Sequence, residues 1–402
     1  MNERVLGDAM PNSRLAIDGA PPEVSLPLPA WPIWDAQTES AVLRALRQGT
    51  WWRGTGSEVE LFEAELSTLE AAPHMLAVAN GTVALEIALQ AHGVGPGSKV
   101  ALPALTFYST LSAIQRLGAT PIVVDVDGET WNLSAQAFRE VAGQCDVVVP
   151  VHMAGVPCDM SEIERIAREQ DVVIVQDCAH ATGMTLQGRP TTGTRCFSFQ
   201  NAKLLSGGEG GAIAFDDEEA YQRAFLAHNC GRGRREAGYD HRVIATNGRL
   251  AELSGALLRD QLQRFDALAR RRARGAARLS QLLSANRAIE VQAQHPAGES
   301  AHYMVLLRLN RGVVGELSRD WVVDALKAEG VPAFRIYPPV FETKAYWLQP
   351  EPGTSMEGLN ERCPVAVRLG ADGVWLHHQV FLMDDDGLAQ IAQAIDKVCA
   401  SS

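Results

Sequence analysis

FSFQNAKLLSGGEGG, residues 197–211, sets one lysine, Lys203, between a short apolar run (Cys196 to Phe199) and a loop holding Gly207, Gly208, Gly210 and Gly211. A lysine at such a junction contributes little packing. In a concave, partly desolvated site its ε-amine loses its proton more readily and can form a Schiff base with an aldehyde. The small neighbours let a flat molecule come close to the backbone. Read alone, the same lysine is a solvated residue at the head of an ordinary turn. The rest of the chain decides between the two.

Twenty-six residues upstream, the run from Asp171 to Asp177 is short, unbroken and β-branched, and it ends in a carboxylate. That pattern predicts a buried parallel strand with Asp177 at its carboxyl end, where ligands of doubly wound sheets collect. A carboxylate there can keep a pyridine nitrogen protonated. The competing reading of Asp177 is a helix N-cap, with a helix starting at Ala179. His180, three residues on, is near enough along the chain to serve the same site.

Before this, MLAVAN reads as a strand, Gly81-Thr82 as a turn and VALEIALQAHG as an amphipathic helix ending at Gly93. A Gly-Thr pair opening a helix offers free N–H groups and a hydroxyl to a phosphate, although Asn-Gly-Thr is also ordinary capping chemistry. The next strand, Lys99 to Pro103, leads to Thr106-Phe107-Tyr108. Phe107 is either a stacking ring for a planar cofactor or a core residue. GVGPGSK at 93–99 has the wrong spacing for a P-loop, and no GxGxxG follows a strand.

The order phosphate turn, aromatic, strand-end Asp and lysine resembles pyridoxal-phosphate (PLP) enzymes of the aspartate-aminotransferase fold. Within them the chain is similar to the family that aminates keto sugars and cyclitols, above all its branch making 3-amino-5-hydroxybenzoate (AHBA) for antibiotics. The resemblance runs from about Leu28 to Val398 and is carried by QGTWWRGTGSEV, VANGTVALEIALQ, VPVHMAGVPCDM, QDCAHATG, FSFQNAKLLSGGEGGA, CGRGR, HYM and VWLHH, among others. It implies PLP as cofactor, bound covalently to Lys203, with Asp177 on the ring nitrogen, Phe107 stacked on the ring and His180 near its phenolic oxygen. Gly81, Thr82 and Ser198 would hold the phosphate. Asn247 would reach the phosphate in a neighbouring subunit, so the active unit is expected to be a homodimer. From its own surroundings, TNGRL, Asn247 reads only as a turn residue.

The chain also departs from that pattern. The stretch from Gly188 to Phe197 is shorter than in the relatives, Ala202 stands where close relatives carry glycine, and PAFRIYPPVFETKAYW (332–347) is nearer the sugar aminotransferases. The expected substrate is a cyclic shikimate-type keto or amino compound giving an aminobenzoate, with a glutamate- or glutamine-type amino donor. A keto sugar or scyllo-inosose is the alternative, and a non-catalytic binding protein on the same fold is a third class. A carboxylate on the substrate calls for a cation, and Arg53, Arg232 and Arg335 are the candidates.

Composition narrows the partners. With 36 basic and 48 acidic side chains the formal charge is −12, unsuited to sequence-independent nucleic-acid binding. The basic run Arg270, Arg271, Arg272 and Arg274 reads as a solvated helix face opposite Leu258, Leu262, Phe265 and Leu268. Seven cysteines without a CxxC pair fit a reduced cytoplasmic chain, and ten histidines without ligand spacing point away from a metal. No long apolar run opens the chain, so neither a signal peptide nor a membrane span is expected.

The predicted fold class is α/β, PLP fold type I. A loose tail (1–27) precedes a large domain with a mostly parallel sheet (28–265), and a smaller α+β domain (266–402) follows. Expected strands include 100–104, 121–126, 146–151 and 211–215, with HYMVLLRL (302–309) in the small domain. SRDWVVDALKAEG and LAQIAQAIDKVC are expected helices.

Overall fold

The computed structural model describes residues 14–234 and 239–401. Its main sheet contains β1 (His74–Val78), β2 (Lys99–Pro103), β3 (Thr120–Val124), β4 (Val147–Val148), β5 (Val173–Asp177), β7 (Thr194–Ser198) and β8 (Gly211–Phe215). They lie in the order β1-β8-β7-β5-β4-β2-β3, and β8 alone runs against the rest. Helices cover both faces, so these strands are apolar on both sides, as a parallel sheet requires. The expected strand at 146–151 shrinks to two residues because Pro150 cannot continue the ladder.

Parallel direction gathers the functional loops at one edge. β1 ends before Asn80-Gly81, β2 before Thr106-Phe107, β5 at Asp177 and β7 at Ser198. The reversed β8 begins at this edge, with Gly211 opposite both Val78 and Ser198. A Cβ on Gly211 would lie 2.5 Å from the Asn80 carbonyl carbon, so glycine lets the Asn80 turn close down on the sheet.

A second, antiparallel sheet, β12-β13-β11-β9, comprises β9 (Ile289–Val291), β11 (Met304–Leu309), β12 (Ala333–Arg335) and β13 (Gly373–His377). A two-stranded pair, β6 (Thr185–Leu186) and β10 (Gly298–Glu299), links the two halves. This gives the α/β architecture with a smaller α+β part anticipated from the sequence.

Two features differ from expectation, while the junction expected at 265/266 falls inside one helix, Glu252–Leu283, which gives Phe265 to the main core and Leu279 and Leu283 to the second. Of its arginine run, Arg272 is completely buried: seven residues after Phe265, it lies on the inward stripe at helical periodicity. Arg270, Arg271 and Arg274 are exposed, as expected. Finally, residues 14–27 of the expected tail are docked. Leu15 and Val24 enter the second core, and the N–H groups of Ala16 and Glu23 donate to the two carboxylate oxygens of Glu329, each at 2.8 Å. Residues 1–13 lie outside the described part. Among the described residues no helix is long and apolar enough to cross a membrane.

Candidate active site

At the carboxyl edge of the main sheet opens a cavity of about 770 Å³, whose lining includes Gly81, Thr82, Phe107, Asp177, His180, Ser198 and Lys203. The fold thus collects seven residues singled out from the sequence, drawn from four separate segments.

One end is built for an anion. Asn80 caps the helix Gly81–Ala91, its Oδ1 accepting from Val83 N at 2.9 Å. The N–H groups of the first turn have no intrahelical partner and carry the positive end of the helix dipole. Thr82 Oγ1 lies 2.7 Å from Ser109 Oγ, a second hydroxyl that joins this end. A Cβ on Gly81 would come within 2.7 Å of Ser198 Cβ, so Gly81 must be glycine for Ser198 to share the site. Thr82→Ala or Ser198→Ala is expected to remove one neutral hydrogen bond of about 1 kcal/mol, raising the cofactor Kd roughly fivefold in a fluorescence titration. Gly81→Ala, which displaces Ser198 as well, should cost more than either.

Asp177 is buried at the strand end, and no helix starts behind it. Its Oδ1 accepts from Ala179 N at 3.0 Å and its Oδ2 from Thr110 Oγ1 at 2.9 Å. Thr110 is held in turn by Thr106, their hydroxyls 3.1 Å apart. Burial raises the Asp177 pKa, opposed by these two hydrogen bonds and by Lys203. The carboxylate therefore stands in need of a further positive partner.

Lys203 faces it across the cavity. Burial brings the ammonium down to about 8, with the Asp177 charge working in the other direction. Its Nζ lies 4.4 Å from the centre of the Tyr303 ring, and on that ring stacks His180, 4.4 Å away at 23°. His180 Nδ1 is buried without a hydrogen-bond partner among the described residues, and burial, reinforced by Lys203, holds the imidazole neutral. Phe107 is 54% exposed, which decides against the core reading: its ring is free at the cavity mouth, 5.7 Å from that of Tyr337.

The remaining candidates lie elsewhere. Asn247 is exposed, pairs with Asn229 across an isolated bridge, and does not line the cavity of its own chain. Arg53 and Arg232 line a different cavity of about 460 Å³. There Arg53 is already engaged by Glu63 at 2.6 Å and by the Ala77 carbonyl at 2.9 Å. Arg335 lies on β12, paired with Asp320 at 2.8 Å and Asp324 at 3.5 Å, and lines neither cavity. Sequence reasoning passed over Thr110, Ser109 and Tyr337. The hydroxyls at 106 and 110, one helical turn apart just past a strand, were the available signal for the first.

A desolvated lysine, a buried carboxylate, an open aromatic face and a helix N-terminus around one cavity suit a flat, phosphorylated, aldehyde-bearing cofactor. The chain belongs to the DegT/DnrJ/EryC1/StrS aminotransferase family, which it matches over residues 34–396. It is an enzyme of fold type I with pyridoxal phosphate as its cofactor. It is 42% identical over 374 residues to 3-amino-5-hydroxybenzoate synthase of Amycolatopsis mediterranei (strain S699), covering 91% of this chain and 96% of that one. A crystal structure of AHBA synthase superposes with a TM-score of 0.90 at 40% identity, covering 94% of this chain and 99% of the other. A putative L-glutamine:3-amino-2,3-dideoxy-scyllo-inosose aminotransferase of Streptomyces kanamyceticus is 33% identical over 365 residues, 84% of each chain.

Proposed function

We propose that this enzyme makes an aminobenzoate, 3-amino-5-hydroxybenzoate or a close relative, from a cyclic shikimate-type amino or keto substrate. The observation that carries this reading is the 42% identity to an AHBA synthase across almost the whole of both chains. The inosose enzymes stand further off, at 33%.

When bound, PLP supplies an electron sink that makes the carbon bearing the substrate amine acidic. The first helical turn at Gly81 and Thr82, with Ser198, would hold its phosphate. Phe107 would cover its ring, and Asp177, oriented by Thr110 and Ala179 N, would keep the ring nitrogen protonated. Lys203 Nζ takes the proton from the carbon bearing the amine. The substrate then loses a β-hydroxyl as water and becomes aromatic on tautomerisation, which makes the sequence effectively one-way. Where the substrate arrives as a ketone, a glutamine- or glutamate-type donor supplies the amine first.

We further infer a homodimer. Asn247 is exposed and does not line its own cavity, which leaves it available to a second copy. Its bridge partner Asn229 lines the arginine-bearing cavity, so Arg232 lies beside it as a carboxylate ligand for a substrate bound at the junction, ahead of Arg53, which Glu63 already engages. Arg335, held by two aspartates, is the weakest of the three candidates.

The test is a substrate panel: 3-dehydroshikimate, its amino derivative, scyllo-inosose and a nucleotide keto-hexose, each with glutamine. A new aromatic absorbance with either shikimate-type compound is expected. Turnover of the sugar or inosose alone, without an aromatic product, would transfer the enzyme to the sugar and cyclitol aminotransferases.

A further inference from the structure

After β7 the chain enters Lys203 through a turn whose own hydrogen bonds are local. Ala202 N donates to Gln200 Oε1 at 2.8 Å, and Lys203 N to the Gln200 carbonyl at 2.7 Å. The two carbonyls just before the lysine are taken by distant segments. Trp31 Nε1 donates to Asn201 O at 3.2 Å, and His378 Nε2 lies 3.1 Å from Ala202 O. Trp31 comes from the N-terminal segment and His378 from the turn after β13. The two rings meet edge to face, 4.5 Å apart at 89°.

A carbonyl only accepts, so Nε2 of His378 carries the hydrogen. Its Nδ1 is buried and has no hydrogen-bond partner among the described residues. Burial, with His377, Arg272 and Lys203 nearby, keeps this imidazole uncharged. Arg272 stands behind the pair, wholly buried, its guanidinium 6.0 Å from the Trp31 ring and 5.8 Å from Phe265. None of its three side-chain nitrogens has a hydrogen-bond partner among the described residues. The aromatic faces are therefore its main neighbours, and its charge opposes a second proton on His378.

We propose that Trp31 and His378 are positioning residues for Lys203. By gripping the carbonyls of Asn201 and Ala202 they fix the direction from which Nζ enters the cavity, and they tie that direction to the seating of the small domain. The proposal rests on Lys203 being the cofactor lysine.

The test uses the holoenzyme with Trp31→Phe, which keeps the ring but loses the N–H, His378→Leu, which removes the donor, and His378→Gln, whose amide can restore it. A reacting group misplaced by about 1 Å costs on the order of 10²-fold in rate, so Trp31→Phe and His378→Leu should lower kcat by roughly 10- to 100-fold, with KM changed less than about threefold. The pH midpoint of the visible band of the covalently bound cofactor should move by about half a unit or more in both. His378→Gln should recover most of both properties. Unchanged kcat and midpoint in Trp31→Phe, or a change confined to KM, would overturn the proposal. If His378→Leu does not fold, Trp31→Phe decides. Borohydride reduction and peptide mapping of the wild type separate the two levels: a tag on another lysine sinks the assignment of Lys203 itself, whereas a tag on Lys203 with unaltered variants sinks only the grip.

Discussion

Lys203→Ala is expected to give a folded protein that has lost the visible band of covalently bound cofactor and nearly all turnover. The side chain is half-buried and desolvation of its amine disfavours the charged form, so removing it relieves a cost and the apoprotein should melt no lower than the wild type. Catalysis has no such relief. Lys203 is the group whose Nζ reaches the cavity close to Asp177, and a positioned general base contributes about 10²–10⁴-fold. Loss of the covalent bond adds to this. Thermal melts, single-turnover rates, and absorbance spectra with borohydride tagging measure the three effects separately. Wild-type rates in Lys203→Ala would remove the functional reading altogether.

The second large effect belongs to Asp177→Asn. The amide nearly preserves shape, but it cannot keep the cofactor nitrogen protonated by charge. A hydrogen bond to a charged group contributes about 1.5–3 kcal/mol, so a fall in turnover of at least ~10- to 100-fold is expected while PLP remains bound. Stability should behave differently. Burial raises the Asp177 pKa despite the nearby Lys203, which marks a charge held at a net cost. Thermal unfolding of the apoprotein should therefore be unchanged or slightly improved. A small loss of turnover, equal to that of Thr82→Ala, would show that the carboxylate does not face the ring nitrogen.

The legible part of the site was the part written in short segments. Gly81-Thr82, Phe107, Asp177-to-His180 and Ser198-to-Lys203 each follow a strand, and a parallel sheet brings strand ends together without further instruction. Partners supplied from far along the chain left a fainter mark. Thr110 reaches Asp177 across 67 residues, and Tyr303 meets Lys203 from the other sheet. The arginine run misled because charge was weighed above position: at helical spacing Arg272 belongs with Phe265 and Leu279. The junction expected at 265/266 lies within the helix that carries this run. A change of core need not interrupt a helix, and Gly275, which lies at the transfer, does not break this one.

The docking of residues 14–27 bears on the order in which the molecule can be completed. Ala16 and Glu23 bind a carboxylate that lies 313 and 306 residues further on, and Glu329 is in turn held by Lys397 at 3.0 Å. During synthesis the first of these residues leave the ribosome long before anything exists for them to bind, whereas the main sheet can close by β8. The second core is thus the last to assemble, and it joins both ends of the polypeptide. A shortened version beginning at Leu28 would emerge with Leu15 and Val24 missing from that core and with the Glu329 carboxylate deprived of two N–H donors. Residues 14–27 are a late-docking piece of the small domain that is made before the rest of it.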